Sequence, residues 1–211
     1  LEPVGVGHQT DLHEHPGHVP DFRATDISLR QWGSEFRVFF RGRNLGPFRL
    51  SIPGIHNVSN SLVAIAIGME LDIPVDLIRK GLAAFSGVER RFHLRGEKAG
   101  IMVVDDYGHH PTEIAATIAT ARTGGWKRIL VMFQPHRYSR TKALADDFGK
   151  AFREADMVFV GDVYPAGEAA IPGVSGMTVV EAMLVHGHEA AFTHPDISTI
   201  HRAVGAAMRD G

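Results

Sequence analysis

The stretch GIMVVDDYGHHPTEI, residues 100–114, passes from an apolar run through two acids, a tyrosine and two histidines to a proline that opens a helical pattern. Val103 and Val104 are apolar on successive positions, as in a strand covered on both faces. From Pro111 onward Ile114, Ile118 and Ala121 recur at helical spacing until Gly124–Gly125 stop the pattern. The same handover then repeats. RILVMFQ (128–134) leads to a helix over 140–154 striped by Leu144, Phe148 and Phe152. MVFVGDV (157–163) leads through a Pro/Gly loop to a helix over 177–186, and AAFTH (190–194) leads to a last helix over 196–209. Strands alternating with helices of this length imply right-handed crossovers, a mostly parallel sheet and an α/β fold.

Upstream the rhythm differs. RATDISLRQ, SEFRVFFRG and GPFRLSIPG are short strands with one apolar face, separated by glycine and polar turns. Two helices follow. One, near 57–71, is striped by Leu62, Ile65, Ala66 and Met69; the other opens at Pro74 and carries Val75, Ile78, Leu82 and Phe85. The boundary between the two parts is expected near Arg90–Phe92.

The wider composition narrows the function. The 211 residues are 44% hydrophobic and 22% charged with a net charge of −2, which excludes a global field for nucleic acid or an anionic membrane. No apolar run reaches the ~20 residues of a membrane helix, and no signal peptide opens the chain, so a cytoplasmic protein is expected. The absence of cysteine excludes disulfides, thiolate metal sites and cysteine nucleophiles. HQTDLHEHPGH (8–18) offers His8, Asp11, His13, Glu14, His15 and His18 without a recognised ligand spacing, and reads as a solvated loop. No glycine-lysine phosphate loop, G-x-G-x-x-G or serine elbow occurs. The chain starts at Leu1 without a methionine and stops inside a helical pattern, so a piece of a longer protein is expected.

In open parallel sheets ligands sit beyond the carboxyl ends of the strands. Three successive strand ends here are polar: Asp105, Asp106, Tyr107, His109 and His110; then Gln134, His136, Arg137, Tyr138 and Arg140; then Asp162, Tyr164 and Glu168. A helix start explains Pro111 and Glu113. It does not explain adjacent acids after an apolar strand, and a carboxylate there suits the hydroxyls of a ribose. Strand alternation turns the two acids to opposite faces. Asp106 is expected to face a nucleotide, and Asp105 to cap a neighbouring amide. Arg137 and Arg140 offer guanidinium forks for a carboxylate or phosphate. In PGIHNVSNSL (53–62), Asn57 or Ser59 is a candidate helix cap, yet His56 and Asn60 lie one turn apart and suit a base or ribose. In GVERRFH (87–93), Arg90 and Arg91 read either as hinge surface or as an arginine that crosses to a phosphate.

These segments in this order resemble the Mur ligases of peptidoglycan synthesis. GIHNVSNSLVAIAIGMEL is similar to their G-x-H-N-x-x-N-x-x-A helix, GVERRF to their hinge arginine motif, and DDYGHHPTEI with FQPHRYSRT to the branch that joins L-alanine to UDP-N-acetylmuramate. The likeness is strong over about residues 50–170 and looser elsewhere. It implies that residues 1–90 end a central ATPase domain and residues 91–211 form a Rossmann-like ligase domain. It further implies ATP-driven amide formation through an acyl phosphate, with ATP and magnesium as cofactors and with the metal ligands and phosphate loop outside this chain. The remaining segments of the same enzyme would be its partners, with no nucleic acid and no membrane insertion. By resemblance His56, Asn57 and Asn60 border adenine and ribose, Arg91 reaches a phosphate, and Asp106 holds the ribose. Tyr107, His109, His136, Arg137 and Arg140 form the amino-acid and acyl-phosphate pocket, where His109, His136, Arg137 and Arg140 serve catalysis. Such a fragment is expected to be inactive alone. The alternative is an α/β module that binds a nucleotide or amino acid without catalysis, and an upstream phosphate loop discriminates between the two.

Overall fold

A computed structural model describes residues 21–194 and 196–209; the histidine-rich loop read at 8–18 lies outside them. The chain divides into two compact units, the first ending at Asp106 and also holding Thr123–Gly125, the second built from Tyr107–Arg122 and the residues from Trp126 on.

In the first unit β1 (Phe22–Arg30), β2 (Gly33–Phe40) and β3 (Arg43–Leu50) form an antiparallel meander in the order β1-β2-β3. The alternation read from the sequence is realised. Ser34, Phe36 and Val38 are buried while Glu35 and Arg37 are not, and Phe36 pairs with Phe48 across the ladder. Helix α1 (Ile55–Glu70) lays Val58, Leu62 and Ile65 on that face, closing a core with Ala24, Phe36, Val38, Phe48 and Leu50. Helix α2 (Val75–Ala84) contributes Val75, Ile78 and Leu82, half-buried at its edge. Gly68 permits the close crossing of the two helices, since a Cβ there would lie 2.7 Å from Ile78 Cδ1. Phe85, expected on the α2 stripe, falls past the helix end in extended backbone and is 44% exposed.

The first unit also holds a hairpin, β4 (His93–Lys98) with β5 (Ile101–Asp105), paired antiparallel from His93↔Asp105 to Lys98↔Ile101. This corrects the reading of 100–106 as a strand of the parallel sheet, because its ladder is with β4. HLRGEK carries almost no apolar residues to betray a strand.

The second unit follows the strand–helix rhythm. Helix α3 (Pro111–Thr123) precedes β6 (Leu130–Phe133); α4 (Tyr138–Ala143) and α5 (Ala145–Ala151) precede β7 (Met157–Gly161); α6 (Gly176–Val185) precedes β8 (Ala191–His194); α7 (Ile200–Arg209) follows. The strands form a parallel sheet in the order β6-β7-β8. It is covered on both sides, as parallel sheets are. Val158 and Val160 of β7 join Ile114, Ile118, Phe133, Phe148, Phe152, Val179 and Met183 in one core, while Phe159 meets Ile200 and Val204 of α7 in another. The helix expected over 140–154 is broken at Leu144, whose φ −111°, ψ 20° leaves the helical region. Gly176 sits so close under β7 that a Cβ would lie 2.4 Å from Gly161 O. Among the described residues no helix is long and apolar enough to cross a membrane.

Candidate functional site

The residues singled out in the sequence gather in two clusters, one within each unit.

In the first unit the chain enters α1 through buried Pro53 and Gly54. Neither Asn57 nor Ser59 is the cap. Gly54 occupies that position without a side-chain hydrogen bond, and Asn57 Nδ2 instead donates to Pro53 O at 2.6 Å. Asn60 is exposed one turn beyond His56. His56 Nδ1 is buried and has no hydrogen-bond partner among the described residues. Burial pushes the His56 imidazolium below its ordinary range, Asp106 opposes that, and Arg91 adds to it. His56, Arg91 and Asp106 therefore feel one another's charge. An unpartnered buried ring nitrogen beside a carboxylate and a guanidinium is a set that a nucleotide would complete.

The two acids divide their work differently from the sequence reading. Asp106 Oδ2 accepts the Phe92 amide at 2.8 Å, so the amide cap belongs to Asp106. Asp105 instead lies 3.9 Å from Arg90 with its side chain 39% exposed. The reason is the hairpin: β5 ends at Asp105, so Asp106 already lies in the turn and reaches back across to the entry of β4.

In the second unit Glu113, at the third position of α3, accepts the His109 and His110 amides at 3.1 and 3.2 Å, a side-chain cap that fixes the loop before the helix. His109 Nδ1 lies 3.1 Å from Tyr107 O. Four rings then follow one another. The Tyr107–His109 centroids are 5.2 Å apart, His109–His136 6.1 Å and His136–Tyr164 5.5 Å, the last pair stacked.

The loops after β6 and β7 are bound together by backbone. Arg137 N–H donates to Tyr164 O at 2.9 Å, Tyr164 N–H donates to Pro135 O at 2.8 Å, and Gln134 Nε2 reaches Asp162 O at 3.3 Å. Arg140 Nη1 lies 3.5 Å from His136 Nδ1. A guanidinium only donates, so that nitrogen accepts and the ring is neutral. Burial holds His136 below the ordinary imidazole range, and Arg140, Arg137 and His109 lower it further against Glu168. Arg137 Nη1 stands 3.7 Å from Glu168 Oε1. Tyr107, His109, His136, Arg137 and Arg140 thus lie on one connected surface. Tyr164, Ser139 and Glu168 complete it. In the sequence Tyr164 and Glu168 stand out only as strand-end polar residues; an acid seven residues beyond the end of β7 is the available signal. The arrangement suits a small carboxylate held by arginines, beside a neutral imidazole able to take a proton. Among the described residues no three histidine, aspartate or glutamate side chains gather as metal ligands.

Residues 90–211 match the family described as Mur ligase, glutamate ligase domain. The chain is 55% identical over 168 residues to a UDP-N-acetylmuramate–L-alanine ligase of Geobacter sp. (strain M21), covering 79% of this chain and 36% of that protein. It is 52% identical over 188 residues to the ligase of the same name from Solibacter usitatus (strain Ellin6076), covering 89% and 39%. The solved UDP-N-acetylmuramate-alanine ligase of Thermotoga maritima superposes with a TM-score of 0.72 at 28% identity, over 86% of this chain and 39% of that one. The chain thus spans about two-fifths of the length of the curated relatives it matches.

Proposed function

The chain belongs to the Mur ligase family, and on that premise we propose that it is part of an ATP-dependent ligase that joins L-alanine to the carboxylate of UDP-N-acetylmuramate in peptidoglycan synthesis. The observation that carries the reading is the second-unit cluster, where the Arg140 guanidinium lies 3.5 Å from the His136 ring and the charge of Arg137 acts on the same ring. Residues 1–90 would end the central ATPase domain and 91–211 would form the ligase domain. The protein would work in the cytoplasm, where nucleotide substrates are made.

His56, Asn60, Arg91 and Asp106 would hold ATP at the base, ribose and a phosphate; Asn57, whose amide closes the turn into α1, would border the base by its position. Bound there, ATP supplies the phosphoryl group that activates the muramoyl carboxylate. Magnesium would be held by residues outside this chain. Arg137 and Arg140 would grip the L-alanine carboxylate, a charge-assisted pairing with directional donors. His136 starts uncharged among cations and so can take a proton at its ring when the ammonium becomes a nucleophilic amine. His109, edge-on to Tyr107 and tilted against His136, would shape the small pocket and keep water out. Catalysis then rests on positioning and neutralised charge, with no covalent enzyme intermediate.

The test is L-alanine-dependent phosphate release by the full-length enzyme with ATP and UDP-N-acetylmuramate. Release that depends on D-glutamate or another amino acid instead would overturn the substrate assignment. The 211-residue chain alone is expected to release none above a no-enzyme control.

A further inference from the structure

Helix α4 starts without a cap of its own. Its N-cap residue is Arg137, at φ 73°, ψ 132°, and it makes no side-chain cap bond; a guanidinium has no acceptor to offer. A side chain from another loop serves instead. Glu168 Oε2 accepts the Ser139 amide at 3.0 Å, and Oε1 accepts the Ser139 hydroxyl at 2.6 Å. The same Oε1 faces Arg137 Nη1 at 3.7 Å. A tight turn brings Glu168 into place: its amide donates to Pro165 O at 3.1 Å, with Ala166 and Gly167 both left-handed at φ 52° and 85°. A non-glycine residue holds that conformation only where surrounding contacts enforce it.

Resting on the carboxylate-binding reading above, we propose that Glu168 is a positioning residue for Arg137. It is anchored to Ser139 and holds the guanidinium at the angle from which it meets the amino-acid carboxylate. Two observations give the direction of control. Glu168 is fixed by two hydrogen bonds, whereas the Arg137 side chain is 49% exposed and reaches it only at ion-pair distance. The carboxylate is the fixed point and the arginine the mobile partner. Its negative charge also offsets the crowding of Arg137, Arg140, His109 and His136 around one pocket.

A double-mutant cycle in the full-length enzyme tests this. Glu168→Gln keeps an oxygen for the Ser139 amide and removes the charge that faces Arg137. It should raise KM for L-alanine roughly five-fold, the scale of an exposed ion pair, with KM for ATP and Tm unchanged. In an Arg137→Ala background it should add nothing. Additive effects, or a fall in Tm with unchanged KM, would show that Glu168 only caps the helix. Side-chain ¹⁵N NMR of the 211-residue chain gives a reading without substrate: guanidinium rotation of Arg137 should quicken in Glu168→Gln, and an unaltered rate overturns the proposal. An enzyme with no L-alanine-dependent turnover sinks the ligase reading alone, and the NMR experiment then decides this one.

Discussion

The two clusters use the same residue types to opposite ends. In the second unit the arginine and histidine side chains stand on a framework that does not include them: backbone bonds among Pro135, Arg137 and Tyr164 join the loops, and the Glu168 carboxylate caps α4. In the first unit the polar groups are themselves framework. Asp106 secures the Phe92 amide, and Asn57 closes the turn into α1. Substitution should therefore separate binding from stability in the second unit and confound them in the first.

The sharpest way to break this contrast is Arg137→Ala. The guanidinium makes no hydrogen bond that holds an element together, and Arg137 contributes to the fold through its backbone. Losing a charge-assisted contact costs about 1.5–3 kcal/mol, or roughly 10- to 150-fold in KM for L-alanine, with Tm little changed. The left-handed backbone at this residue even favours a smaller cost for glycine, so Arg137→Gly should lose the same affinity and gain Tm relative to Arg137→Ala. Unchanged KM and kcat in both variants would mean that this loop is solvated surface.

Asp106→Ala should behave otherwise. It leaves the half-buried Phe92 amide without its acceptor, at about 1–2 kcal/mol. Tm and nucleotide affinity should fall together. Asp105→Ala should do little to either, because its pairing with Arg90 is exposed and long. A stable Asp106→Ala beside an unstable Asp105→Ala would restore the assignment that strand alternation alone suggested.

That reversal shows where the sequence was legible. The meander, both upstream helices, α3 and the parallel strands carry apolar periodicity, and they stand where the pattern placed them. The hairpin partner β4 was invisible, since Leu94 is its one large apolar residue and no buried face repeats. Without β4 the register at Asp105 and Asp106 had no reference. The break at Leu144 was equally silent, because a leucine on the apolar stripe signals continuity. The second-unit cluster was readable because charged residues at the ends of buried strands have few structural uses. The role of Glu168 was not, because it depends on a turn that brings together residues 29 positions apart.

The smallest effect concerns His56 and appears only in the pH dependence of stability. Its folded-state pKa is lowered, by burial first and by Arg91 second, against the pull of Asp106. In the unfolded chain an imidazole titrates near about 6.5. Between the folded and unfolded values the unfolded state binds the extra proton, so stability rises with pH through that window. It is fully present above the unfolded value and is lost as pH falls toward the folded one. His136 contributes with the same sign in the second unit, where Arg140 and Arg137 take the place of Arg91. A difference measurement isolates His56: denaturant midpoints of the native chain and of His56→Gln, compared from pH 5 to pH 8. The native chain should lose more stability on acidification, and the gap should close above the unfolded value. Because the buried Nδ1 has no partner among the described residues, His56→Gln removes no hydrogen bond, and the two curves should meet near neutral pH. Parallel curves across the whole range would mean that His56 is as easily protonated folded as unfolded, and the first-unit cluster would lose its claim to be a preformed, desolvated site.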